Sequence, residues 1–87
     1  MASYKLAFKK SVARDLRLVP KHDVKRILQR IRLLTNDPRP PGCEKLPGQE
    51  RYRVRQGVYR IIYEVEGAQL TVLVVKVGHR RDVYKSA

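Results

Sequence analysis

The sequence predicts one α+β domain over residues 1–87, with two N-terminal helices packed on a mainly antiparallel four-stranded sheet and a short C-terminal segment. The predicted element order is β-α-α-β-β-β. Three observations carry this reading. Apolar residues recur at helical spacing before residue 36, they alternate with period two across residues 52–65, and they run almost unbroken over residues 70–77.

Residues 4–8 alternate Tyr4, Leu6 and Phe8 against Lys5 and Ala7, the pattern of a first strand with one buried face. Phe8, Val12, Leu16 and Val19 then follow at helical spacing until Pro20, which predicts a short helix over 10–18. Val24, Ile27, Leu28, Ile31 and Leu34 mark the clearest amphipathic helix, over 21–35. Its other face carries Lys25, Arg26, Arg30 and Arg32, a stripe that suits either solvent or a polyanion. The helix should stop at Asn36-Asp37-Pro38, because a residue before proline disfavours the α region. Four of the five prolines lie in 38–47, with Gly42 among them. This stretch reads as an ordered connector, since neither half of the chain could form a core alone.

The centre of the chain is a β-hairpin. Tyr52 and Val54 alternate with Arg53 and Arg55, and beyond a turn at Gln56-Gly57, Tyr59, Ile61, Tyr63 and Val65 alternate with Arg60, Ile62 and Glu64. A two-residue loop at Gln56-Gly57 puts Arg53 opposite Arg60 and Arg55 opposite Val58. Any even-length loop keeps all three arginines on one face. Like charges opposed across an antiparallel pair are destabilising, so three converging arginines suggest a site for an anion. A turn at Glu66-Gly67-Ala68 leads to the apolar run, which suits a central strand buried on both faces. The basic cluster Gly78-His79-Arg80-Arg81 follows and can return to the same edge. Tyr59 and Tyr63 are core residues by parity, and His22, at the start of the second helix, is a surface residue.

Charge sets the partner class. Twenty Lys and Arg against eight Asp and Glu give +12 on 87 residues, which implies a polyanionic target, an acidic partner, or both. The lone Cys43 excludes an internal disulfide and fits a reducing compartment. Residues 1–10 hold no apolar run of signal-peptide length, and residues 72–75 are far too short to span a bilayer, so a cytoplasmic protein without a membrane partner is expected. No His, Cys or carboxylate spacing suggests a metal, and no Gly-rich loop cradles a nucleotide, so no cofactor is expected.

The run Tyr-Arg-x-Arg-x-Gly-x-Tyr-Arg-x-x-Tyr and the closing Gly-His-Arg-x-x-x-Tyr, with the element order, length and charge, resemble the RelE branch of the RelE/ParE toxin superfamily over about residues 4–84. The resemblance implies the toxin of a type II toxin–antitoxin pair, a ribosome-dependent endoribonuclease that cleaves mRNA in the ribosomal A site. Its implied partners are mRNA, the ribosome with its rRNA, and an acidic cognate antitoxin. The family's paired basic positions fall on Arg53 and Arg55, its third-strand arginine on Arg60, its C-terminal arginine on Arg80 and its C-terminal tyrosine on Tyr84. Some relatives carry lysines where this chain has Arg53 and Arg55. Relatives that pair a glutamate with a histidine add Glu44 and His79.

RNA can be cleaved without a metal when its own 2′-hydroxyl attacks the adjacent phosphate. That route needs a base, an acid and positive charge around the pentacoordinate phosphorane. Arginines suit the last role, because guanidinium binds phosphate oxygens bidentately. Arg53 and Arg60 are assigned to the scissile phosphate, and Arg55 to it or its neighbour. Arginine is a poor base, which leaves His79, Tyr84 and Glu44 for proton transfer; Tyr84 could also stack on a base. Two other readings stay open: a ParE-like inhibitor of DNA gyrase with the same fold, and a non-catalytic basic RNA-binding protein. Clustering of the basic residues at one sheet edge favours the nuclease.

Overall fold

The computed structural model describes residues 3–48 and 50–83. The chain runs β1 (Lys5–Phe8), α1 (Lys10–Arg17), α2 (Lys21–Leu34), β2 (Glu44–Lys45), β3 (Arg51–Gln56), β4 (Tyr59–Glu66) and β5 (Thr71–His79). The α+β class is as predicted, but the sheet has five strands in the order β1-β5-β4-β3-β2. The added strand is β2, only two residues long, which pairs Glu44 with Arg53 and Lys45 with Tyr52. β1 lies parallel to β5, and every other pairing is antiparallel.

The helices form where the apolar spacing requires and bury a narrow stripe. Ile27, Ile31 and Leu34 of α2 and Val12 of α1 are fully buried, against Val54, Ile61, Tyr63, Val72, Val74 and Val77 of the sheet. Leu28, predicted on that stripe, lies at its margin and is partly exposed. α2 ends as the Thr35 hydroxyl donates to the Arg32 carbonyl at 2.7 Å, just before Asp37-Pro38. Beyond it, the connector is held down by Tyr63, whose buried hydroxyl donates to the Pro38 carbonyl at 2.6 Å. Burial pushes the Tyr63 hydroxyl pKa far above its ordinary value, and a hydrogen bond with Cys43 adds to the shift.

Two further expectations need correction. Leu6 and Phe8 do pair with the buried Val72 and Val74, but at the sheet margin they remain 38% and 43% exposed. Phe8 instead lines an open apolar groove with Val12, Leu16 and Leu28. The hairpin loop is Gly57-Val58, one residue later than predicted, so Arg55 faces Arg60 and Arg53 faces Ile62. Gly57 explains the shift. Its φ of +60° supplies the left-handed first position that a two-residue hairpin loop favours.

Strand β5 is central and packs on both faces, as expected, but it carries an irregularity. Its register against β4 slips between Ile62 and Tyr63, leaving Val75 as an extra residue. Just beyond this bulge, the Val77 amide donates to Asp15 Oδ2 at 3.1 Å and Lys76 Nζ donates to Asp15 Oδ1 at 3.3 Å. Asp15 thereby ties α1 to β5. On the other sheet face Ile62, Val75 and Val83 form a second, smaller core with Leu46 and Leu73.

Candidate functional site

Side-chain alternation gives the outer sheet face its character. Arg51, Arg53 and Arg55 share one side of β3 while Tyr52 and Val54 turn to the other, Val54 into the main core and Tyr52 packed against it. Arg51 is matched by Glu64 across the ladder, with Nε 2.9 Å from the carboxylate. Arg55 and Arg60 are opposed directly. Arg60 is the anchored member: its Nη1 donates to the Gly57 carbonyl at 3.2 Å and to the Tyr59 carbonyl at 3.0 Å. Burial, then the charges of Arg55, Arg53 and Arg80, press the Arg60 pKa below the usual arginine value, and Glu44 opposes that shift. The guanidinium stays cationic all the same. Arg60 thus feels all three other predicted arginines.

Glu44 stands within this cluster. Strand β2 sets it opposite Arg53, whose Nη2 donates to its carboxylate, while its other oxygen lies 3.9 Å from Arg55 Nη2. Arg80 sits at the strand end, in the turn after β5, where its amide donates to the Val58 carbonyl at 2.7 Å. The outer face therefore brings together Arg53, Arg55, Arg60, Arg80 and Glu44. That arrangement can grip a phosphate and holds a carboxylate within the same group of charges.

His79 faces elsewhere. It pairs with Tyr59 across β4 and β5, and the two rings meet edge to face at 6.0 Å, on the sheet side where the helices pack. Its Nδ1 accepts the Arg81 amide at 3.1 Å, so the neutral ring carries its proton on Nε2. His79 lines a cavity of about 280 Å³ with Asp15, Leu18, Tyr59, Lys76, Gly78 and Asp82, among others. The four arginines thus gather on one face, while the His79 side chain turns to the other. Tyr84 lies outside the described residues. Periodicity could not reveal Glu44, because a two-residue strand has no period; only the family resemblance suggests it. Nor could it reveal the Asp15–Lys76 contact, which joins residues 61 apart in the chain.

The fold and site define a small basic α+β domain with an arginine-bearing sheet face, and comparison with known proteins gives its family. Residues 6–84 match the family described as the ParE toxin of type II toxin–antitoxin system, parDE. The chain belongs to that family, within the RelE/ParE superfamily. It is 33% identical to the toxin chain of the RelB–RelE antitoxin–toxin complex from Methanococcus jannaschii, with 92% of this chain and 96% of that one covered and a TM-score of 0.75. It is 30% identical to the corresponding chain of the archaeal RelE–RelB complex from Pyrococcus horikoshii OT3, covering 90% and 96%, with a TM-score of 0.79. Toxin RelG of Mycobacterium tuberculosis is 35% identical over 34 residues, and that match spans 39% of each chain. Among the described residues, no helix is long and apolar enough to cross a membrane.

Proposed function

We propose that this toxin is a ribosome-dependent endoribonuclease that cuts mRNA in the A site, and that an acidic antitoxin neutralises it. The observation that carries the reading is the outer face, where four arginines and one carboxylate gather within a chain of +12 net charge. The two archaeal relatives, each described as a RelE bound to RelB, support the RelE side of the superfamily and a RelB-like partner.

Arg60 and Arg53 hold the scissile phosphate, with Arg55 and Arg80 on the same phosphate or its neighbour. When the substrate's 2′-oxygen attacks phosphorus and the bond to the 5′-oxygen breaks, these fixed charges stabilise the phosphorane between the two events. The charge is in place before reaction, so no metal is required for that task. Glu44 is the base on this face: it takes the 2′-OH proton after the phosphate displaces it from Arg53 and Arg55. The departing 5′-oxygen needs a proton donor, for which Tyr84 is the sequence candidate. His79, turned to the opposite face, is not assigned to either transfer.

A gyrase inhibitor of the same fold would need no such gathering of charge. The test runs both assays on one purified sample. Cleavage of mRNA on programmed ribosomes, with naked mRNA cut far more slowly, is the expected result, because a domain this small positions a flexible strand poorly unaided. Unimpaired mRNA combined with blocked gyrase supercoiling would replace this reading with the inhibitor.

A further inference from the structure

We propose that the cavity lined by Asp15, Leu18, Tyr59, Lys76, His79 and Asp82 is a nucleobase subsite that favours adenine and cytosine over uracil. The inference deepens the RNA-cleaving reading and rests on it for its biological meaning. Its binding test does not require catalysis.

Place, shape and chemistry converge on this ligand. Tyr59 and His79 form the last rung of the β4–β5 ladder, and Arg60 with Gly78 forms the next. Alternation turns Tyr59 and Arg60 to opposite faces, so the cavity and the arginine face meet at the strand end. Arg80 stands at that end, bonded through its amide to the hairpin loop. A ribose-phosphate backbone crossing Arg60 and Arg80 can therefore turn a neighbouring base over the rim into the cavity. Its volume of about 280 Å³ lies near the lower bound for small-ligand sites, a fit for a single base rather than a larger group.

The lining offers two aromatic rings and a mixed set of polar groups. Unstacked bases are held by aromatic stacking together with hydrogen bonds to their Watson–Crick edges. Asp15 and Asp82 supply acceptors in an otherwise strongly cationic protein. Asp15 is already held by Lys76 and the Val77 amide, yet a carboxylate has about four acceptor positions. Lys76 and the Nε2–H of His79 supply donors. Adenine and cytosine present an amino donor beside a ring-nitrogen acceptor, which matches a carboxylate beside an ammonium or imidazole N–H. Uracil held in the same register presents O4 to the carboxylate and its N3–H to the ammonium or imidazole N–H, so both contacts are mismatched.

The test is a nuclear magnetic resonance titration of the full-length labelled protein with adenosine, cytidine and uridine. These nucleosides carry no phosphate and so give the arginine face nothing to grip. Expected are saturable shifts at the Gly78, His79 and Asp82 amides with adenosine and cytidine, and none at Arg53 or Arg55. Uridine should bind at least roughly tenfold more weakly, the scale of one mismatched hydrogen bond to a charged group alone. Leu18→Trp, a change at an 84% exposed residue on the cavity wall, should block the mouth and abolish the shifts. Asp82→Asn should narrow the difference between cytidine and uridine.

Equal affinity for all three nucleosides, or no saturable shift at those amides, overturns the proposal. So does a titration in which arginine amide moves these signals and the nucleosides do not, which would assign the cavity to a basic side chain of a protein partner. On programmed ribosomes, Leu18→Trp should also flatten the dependence of cutting on the base beside the scissile phosphate. Wild-type protein that binds cytidine in this cavity but cuts no mRNA would sink the ribonuclease reading and leave the subsite standing.

Discussion

In the proposed nuclease the chemistry turns on Arg60, the arginine that the backbone holds in place through the Gly57 and Tyr59 carbonyls. Arg60→Ala should lower cleavage at every pH by about 10²–10³, the usual cost of losing one preorganised contact to a transition state. Arg60→Lys should restore only part of this, since a point charge does not replace a bidentate fork. Single-turnover rates on stalled ribosomes measure both. Of the three residues that the sequence leaves open for proton transfer, Glu44 and His79 can be told apart by substitution. Glu44→Gln keeps the side chain's shape but removes the base, so the limb of the pH–rate profile that rises with pH should disappear. His79→Gln should leave that limb in place. The opposite pattern would move the base to His79 and require its ring to swing across the strand end.

At the scale of elements, two contacts decide how firmly the site's strands are held. Asp15 joins α1 to β5 beside the bulge. Asp15→Ala removes both bonds and leaves a largely buried amide without its acceptor, so it should cost about 1–3 kcal/mol in a urea melt. A change within a few tenths would mean that the helix is held by its apolar face alone. Tyr63 fixes the connector that carries Glu44. Its hydroxyl pKa is raised in the fold, so its protonated form is favoured there. The resulting stability is complete below the unfolded tyrosine value of about 10 and drains away as pH climbs above it. Tyr63→Phe should therefore lose stability less steeply than the parent as pH rises above about 10, while being less stable than the parent at neutral pH.

These elements also show what was legible in the sequence. Ile27, Ile31 and Leu34 declared α2 through their spacing, and Arg53, Arg55 and Arg60 declared a shared face through parity, whatever the loop register. Parity alone does not fix the loop, because Gln56-Gly57 and Gly57-Val58 both offer a glycine; the pairing of Gln56 with Tyr59, with Gly57 left-handed at the first loop position, decides between them. Strand β5 hid the facing of His79 for two reasons. Its apolar run lacks alternation, and the bulge at Val75 changes the parity on which any extrapolation to residue 79 would rely. Glu44 joined the arginines through a pairing too short to leave a pattern, so only the family resemblance had suggested it.

For the whole molecule, the central claim is that a scaffold of fixed positive charge speeds an attack the RNA makes on itself. The like-charged rung of Arg55 against Arg60 works against the sheet's own stability, which is intelligible if an anion completes the face. The most direct measurement uses a programmed ribosome whose mRNA carries a single 2′-deoxynucleotide on the 5′ side of the scissile phosphate. This message should resist cutting, while the all-ribose message should yield an upstream fragment ending in a 2′,3′-cyclic or 3′-phosphate and a downstream fragment with a free 5′-hydroxyl. Cutting of the deoxy message at the normal rate, or an upstream fragment with a plain 3′-hydroxyl, would contradict the central claim.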